Sequence, residues 1–205
     1  MPRAPAPKPL PAPDLPARLA QGVPQVVVLA GAEPWFREDG LARIVARVLP
    51  DGDCGGAFQR HDARRPEDRE GVSAAIDEVR TRSLFGGGKV IAIDNAESAS
   101  GPWAAVGRTS PMTVLARAAL ASPQPERVLV LLTSRPVKGK GAAPVASLAK
   151  AGALVVDCRA LYDTPGAWRR GVPPYENELA RFLSRRMREL YDKRLDLLAA
   201  HALAQ

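Results

Sequence analysis

The chain has 205 residues, of which 46% are hydrophobic and 25% charged, and its formal net charge is +7. This is enough apolar material for one sizeable domain and part of another, and no apolar run approaches the ~20 residues of a membrane-spanning helix. The chain has only two cysteines, Cys54 and Cys158, which argues against a disulfide framework. The first residues contain no apolar signal-peptide core. Together these features predict a cytoplasmic protein.

Residues 1–24 are rich in proline and alanine. Proline has no backbone N–H to donate, and it biases the preceding residue towards extended geometry. We therefore expect residues 1–24 to form a disordered or polyproline-like arm.

The central part, residues 25–172, alternates β-branched runs with stretches of helical spacing. We predict strands at 25–30, 57–62, 89–94, 127–133 and 153–158. Helices are predicted within 34–49, 66–79, 111–121 and 143–150. Strands separated by helices indicate an α/β domain with a five-stranded, mainly parallel sheet and helices on both faces.

The final part, residues 173–205, is predicted to be helical. One helix has an apolar stripe that includes Leu179, Phe182 and Leu183, and a second helix follows at 195–203. Two amphipathic helices cannot bury their stripes alone. We therefore expect the beginning of a second, incomplete helical domain.

Gly31 follows the first predicted strand, where phosphate-binding loops begin. Aligned with the pattern G-x-x-x-x-G-K-[ST], however, the chain places Phe36 at the second glycine, Arg37 at the lysine and Glu38 at the hydroxyl residue. The Phe36 side chain would stand where the backbone must approach a phosphate, and Glu38 has the wrong charge. This predicts a degenerate, non-functional phosphate loop.

Asp94 ends a strand whose form is that of a magnesium-binding Walker B strand, but Asn95 follows where a catalytic glutamate would stand. Simple capping of the strand is the more frequent explanation of such a residue. The only histidines, His61 and His201, do not have metal-ligand spacing. We expect no catalytic residue, metal ion or cofactor in this chain.

Leu84 and Phe85 stand between the end of a predicted helix and the glycines 86–88. Such a pair is suited to project as an apolar anchor that fills a partner's pocket. The alternative is a hydrophobic contact in which either side chain folds back on its own helix.

The segments VVVLAG, TRSLFGGGKVIAIDNAE, RVLVLLTSR and KAGALVVDC together resemble the delta subunit of the bacterial DNA polymerase III clamp loader. The resemblance runs from about residue 25 to the end of the chain. It implies an AAA+-like (RecA-like) domain without ATPase activity, followed by the start of a helical lid. It further implies that Leu84 and Phe85 enter a hydrophobic pocket on the sliding clamp, while Ser83 and Gly86 shape the turn.

The implied partners are the sliding clamp, the other clamp-loader subunits and primed DNA within the complex. The implied role is to promote opening of the clamp ring for chromosomal replication, as part of a holoenzyme whose polymerase is a nucleotidyltransferase. The resemblance also implies that members of the family continue through a collar domain, which we do not expect within residues 1–205.

Two other functions compete with this one. The first is a P-loop ATPase with an unusual loop, which requires magnesium-dependent nucleotide binding near Gly31 and Asp94. The second is a basic nucleic-acid-binding module, for which Arg185 and Arg186 are the leading candidates and Arg188, Lys193 and Arg194 lie nearby. Arginines on one amphipathic helix are more often its solvated face.

Overall fold

A computed structural model describes residues 8–52, 55–81, 87–105, 109–124, 126–165 and 171–204. The chain divides into two compact units, Met1–Arg159 and Ala160–Gln205. The division falls earlier than the boundary near residue 172 that the sequence predicts. No helix in the described ranges is long and apolar enough to cross a membrane.

The first unit is built on one six-stranded sheet in the order β1-β6-β2-β5-β4-β3, and every strand pair is parallel. The strands are β1 (Leu10–Pro11), β2 (Val26–Ala30), β3 (Phe58–Asp62), β4 (Lys89–Asp94), β5 (Arg127–Thr133) and β6 (Leu154–Asp157). The α/β class is confirmed. The predicted number of five strands is wrong by one, because β1 was not foreseen.

Part of the segment predicted to be a disordered arm is ordered. Leu10 of β1 pairs with Val156 of β6, and a short helix, α1 (Leu15–Leu19), follows. Leu15 and Leu19 are buried in the core. The prolines do not prevent this, because an edge strand and the first turn of a helix both tolerate the missing N–H. The prediction for residues 8–24 was therefore wrong, and residues 1–7 lie outside the described ranges.

Helices cover both faces of the sheet, as predicted. Adjacent strand residues point to opposite faces: Val28 joins the core cluster under α3, α4 and α5, whereas Leu29 lies against α2 near Gly40. The remaining helices of this unit are α2 (Pro34–Val48), α3 (Arg69–Arg80), α4 (Pro111–Leu120) and α5 (Ala143–Lys150).

The interior faces of the helices follow their apolar spacing. In α3, Val72, Ala75, Ile76 and Val79 are all buried, as the periodicity predicts. The helix α2 begins with a proline at its first turn and a side-chain cap from Glu33, and it ends before Pro50.

The second unit contains α6 (Glu178–Tyr191) and α7 (Leu197–Leu203), which pack together. Asn177 is buried and caps α6 by accepting a hydrogen bond from the Ala180 N–H at 2.7 Å. The amide nitrogen of Asn177 lies 3.0 Å from Nδ1 of His201 in α7. Leu190, Leu198 and Leu203 are exposed.

Candidate functional site

In an open parallel sheet, ligands bind where the carboxyl ends of the strands meet. Here that edge brings together Gly31 after β2, Asp94 at the end of β4 and Thr133 at the end of β5. It is the location at which the sequence predicts a degenerate phosphate loop.

The loop at Gly31 is held against the neighbouring strands. The Gly31 N–H donates to the Thr133 carbonyl at 3.1 Å, and the Glu33 N–H donates to the Cys158 carbonyl at 3.0 Å. Gly31 has φ +146°, and a Cβ there would lie 2.3 Å from the carbonyl carbon of Cys158. The amides that a phosphate loop would offer to an anion are thus engaged with carbonyl groups of the chain itself.

At the N-terminus of α2, the groups that could bind an anion are likewise engaged by side chains of the protein itself. The Glu33 carboxylate accepts a hydrogen bond from the Trp35 N–H at 3.1 Å, which places a negative charge where an anion would bind. The Arg37 guanidinium donates to the Gly31 carbonyl. Phe36 is buried, and its ring meets that of Trp35 edge to face with centroids 5.1 Å apart.

Arg60, from the middle of β3, joins Glu38 of α2 to Asp94 of β4. Arg60 Nε donates to Asp94 Oδ2 at 2.6 Å and Nη2 to Asp94 Oδ1 at 3.0 Å. Its Nη1 and Nη2 also donate to the two carboxylate oxygens of Glu38, at 2.9 and 2.6 Å. One guanidinium therefore binds two carboxylates in paired geometry.

These contacts favour the charged forms of the groups. The hydrogen bond from Arg60 lowers the pKa of Glu38 below its ordinary value, and the two carboxylates raise the pKa of Arg60. The Arg60 side chain is 37% exposed, so water screens part of this attraction. The arrangement is a structural ion network in which a guanidinium stands where a divalent cation would bind a Walker B aspartate.

A second network lies beside the first. The Asp62 carboxylate accepts hydrogen bonds from the Arg64 side chain and backbone and from the Asn95 amide at 2.9 Å, and these lower the pKa of Asp62. Glu97 accepts from the Ser134 hydroxyl at 3.5 Å.

Cys158 is buried, and burial raises the pKa of its thiol to about 12. It is thus protonated at neutral pH and unsuited to act as a nucleophile. No cluster of potential metal ligands occurs among the residues that the structure describes.

The sequence predicted a degenerate phosphate loop with Gly31, Phe36, Arg37 and Glu38, and a Walker B-like remnant at Asp94. In the structure, Gly31 and Asp94 follow or end strands at the carboxyl edge, and Phe36 is buried in the first turn of α2. The sequence did not predict Arg60, which joins Glu38 to Asp94. One feature of the sequence could have indicated the role of Arg60: it is a charged residue in the middle of the predicted strand AFQRHD, where a fully buried strand would have an apolar residue.

The segment predicted to bind the clamp, Ser83, Leu84, Phe85 and Gly86, lies outside the described residues. The chain on either side of it is described: α3 ends at Arg80, and β4 begins at Lys89. The start of β4 belongs to the amino-terminal edge of the parallel sheet, and the Gly31 loop lies at the opposite, carboxyl edge. A cleft of about 330 Å³ lies at the amino-terminal edge, and Leu49, Glu78, Lys89 and Arg127 are among the residues that line it.

The two arginines named as candidates for DNA contact lie on different sides of α6. Arg186 forms an ion pair with Glu189 at 3.6 Å. Arg185 is exposed and lines a cleft between α6 and the segment that leads to α7.

Comparison with known proteins identifies the fold. Neither a protein-family model nor a curated protein sequence matches the chain. A solved structure, the Bacillus subtilis DNA clamp loader delta protein, matches with a TM-score of 0.64 over 94% of this chain. The chain has the fold of a clamp-loader delta protein. The identity to that delta protein is 18%, and the chain spans about half its length, since the match covers 51% of it. The match agrees with the α/β fold that the family resemblance implies.

Proposed function

We propose that this chain is a non-catalytic clamp-loader subunit, which binds a ring-shaped sliding clamp and promotes its opening for loading onto primed DNA. The observation that carries the proposal is the delta-protein fold over 94% of the chain. The resemblance of the segment TRSLFGGGKVIAID to the same family supports it independently of the fold.

The geometry at the carboxyl edge of the sheet supports the proposal that this subunit does not itself bind and hydrolyse ATP. ATP binding requires free amides at the loop, a cation site at the Walker B aspartate and room for the phosphates. Here the Gly31 and Glu33 amides bond to backbone carbonyls, and Arg60 binds Asp94. These contacts argue against the alternative of an unusual P-loop ATPase.

Clamp binding is assigned to Leu84 and Phe85. In the sequence, they stand between α3, which ends at Arg80, and β4, which begins at Lys89. A wedge opens a ring by binding the opened interface more tightly than the closed one. ATP held by other subunits of the loader would control when the wedge is presented.

Isothermal titration of the whole chain into the sliding clamp of the same organism tests the proposal. We expect binding in the micromolar range or tighter, and its loss in Leu84→Ala/Phe85→Ala. The matched control is Leu198→Ala/Leu203→Ala, which removes exposed apolar side chains from α7 and is expected to leave binding unchanged. A folded wild-type chain that does not bind the clamp would refute the proposal.

A further inference from the structure

The second unit has a basic face on α6. Arg181, Arg185 and Arg188 are spaced four and three residues apart, so they lie on one side of the helix, and all three are exposed. At 1.5 Å per residue, the three arginines extend over about 10 Å of the helix axis.

The segment between α6 and α7 adds a fourth arginine to this face. The Ser184 hydroxyl donates to the Leu195 carbonyl at 2.5 Å and fixes the segment against α6. Arg194, the neighbour of Leu195, thereby lines the same cleft as the three helix arginines. The cleft has a volume of about 740 Å³.

Asp196 is the one acidic residue among the described residues that line the cleft; Glu178, Glu189 and Asp192, which belong to α6 or its end, are not among them. Glu176 pairs with Arg181 at 3.4 Å, and Asp196 accepts the Ala199 N–H at 2.9 Å to cap α7. Arg188 and Arg194 form no ion pair with any residue that the structure describes. The cleft therefore has excess positive charge that is suited to an anionic partner.

The residue types indicate a phosphate backbone. A planar guanidinium can donate two parallel hydrogen bonds to a phosphate. Successive charges along a nucleic-acid strand are about 3.4 Å apart along the helix axis, so a row of arginines over about 10 Å can reach several of them. Proteins that hold single strands stack bases on aromatic side chains, and none of the described residues lining this cleft is aromatic. These properties favour a duplex.

We propose that the cleft formed by Arg181, Arg185, Arg188 and Arg194 binds the phosphate backbone of duplex nucleic acid without sequence preference. That this duplex is primed DNA in the cell rests on the proposed clamp-loader role. The binding itself does not require the clamp. Arg186, which pairs with Glu189, is not part of this surface.

Fluorescence anisotropy of labelled DNA duplexes of two unrelated sequences, titrated with the whole chain at several salt concentrations, tests the proposal. We expect Arg188→Ala/Arg194→Ala to weaken binding about tenfold at low salt and to reduce the slope of log affinity against log salt by about 2. The charge-matched control is Arg65→Ala/Arg80→Ala in the first unit, where both side chains are exposed. It should weaken binding less than about twofold.

Equal losses in the two double variants would overturn the proposal, because net charge alone would then explain the binding. Tighter binding of single strands than of duplexes, or displacement of the duplex by an acidic polypeptide at equal charge concentration, would also overturn it. Circular dichroism verifies that the variants fold. No clamp is present in this assay, so its failure leaves the clamp-binding proposal intact, and loss of clamp binding alone leaves this one intact.

Discussion

Arg60 holds Asp94 through two parallel hydrogen bonds, from Nε to Oδ2 at 2.6 Å and from Nη2 to Oδ1 at 3.0 Å. The same guanidinium binds Glu38, which stands where a phosphate loop has its hydroxyl residue. Asp94 and Glu38, which stand at the sequence positions of magnesium ligands in a phosphate-binding site, are thus both bound by the Arg60 guanidinium. The network joins α2, β3 and β4 and has a structural function.

Arg60→Ala should lower the free energy of unfolding by about 1 kcal/mol. The change leaves two carboxylates near each other without their shared partner, and partial exposure to water keeps the cost small. Urea unfolding at neutral pH measures it. Arg65→Ala is the control, because Arg65 is 65% exposed and lies 4.0 Å from Asp62. A cost for Arg60→Ala no larger than that of the control would contradict the structural function.

Removal of Arg60 should not create a nucleotide site. The Gly31 and Glu33 amides remain bonded to backbone carbonyls, and the Glu33 carboxylate still caps α2. Titration of wild type and Arg60→Ala with Mg-ATP is expected to show no saturable binding by either. Saturable magnesium-dependent binding by the wild-type chain would favour the ATPase alternative.

Gly31→Ala should be among the most destabilising single changes. The added Cβ would meet the Cys158 carbonyl group at 2.3 Å, and the residue would keep a φ that side chains rarely adopt. We expect a loss of about 3 kcal/mol or more in the free energy of unfolding. Gly22→Ala separates the two causes, because Gly22 has φ +118° with nothing within 4 Å. Its expected cost is about 1 kcal/mol, and equal costs at both sites would show that the close approach to Cys158 is unimportant.

Much of the fold follows from the sequence, because the strands and helices differ clearly in their apolar periodicity. β4, β5 and α5 begin and end where the pattern predicts. β1 could not be predicted, since a two-residue strand of Leu10 and Pro11 has no period to detect. The helix that follows β1, α1, is only five residues long and contains a proline, so helix propensity does not predict it. Burial of Leu15 and Leu19 in the core holds it in position.

The site was predicted only in part, for a physical reason. The degenerate loop depends on residue types within one local segment, and these can be inferred from the sequence. The Arg60 network depends on partners 22 and 34 residues away, and on the register that places Asp62 beside Asp94. Side-chain periodicity does not determine which residues of two parallel strands lie side by side.

The Asp62 network predicts a pH dependence of stability. Hydrogen bonds from Arg64 and Asn95 lower the pKa of Asp62 in the folded protein. The contribution of Asp62 to the free energy of unfolding is therefore fully present above its ordinary pKa of 3.8, and it is lost as the pH falls towards the lower pKa of the folded state. Asp62→Asn should cost about 1 to 2 kcal/mol at pH 7. The cost should shrink steadily as the pH is lowered from 4 towards 2. Urea unfolding across this range measures it, and a cost independent of pH would contradict the assignment.

Release of a sliding clamp from circular DNA is a direct assay of ring opening, because a clamp leaves a closed circle only when its ring opens. We expect the wild-type chain, added in excess without nucleotide, to accelerate loss of the clamp from the circle, and Leu84→Ala/Phe85→Ala not to do so. Leu198→Ala/Leu203→Ala should act like the wild type. An unchanged rate of loss with folded wild-type chain bound to the clamp would show that the chain does not open the ring. Full acceleration by the Leu84 and Phe85 double variant would show that these two side chains are not the wedge.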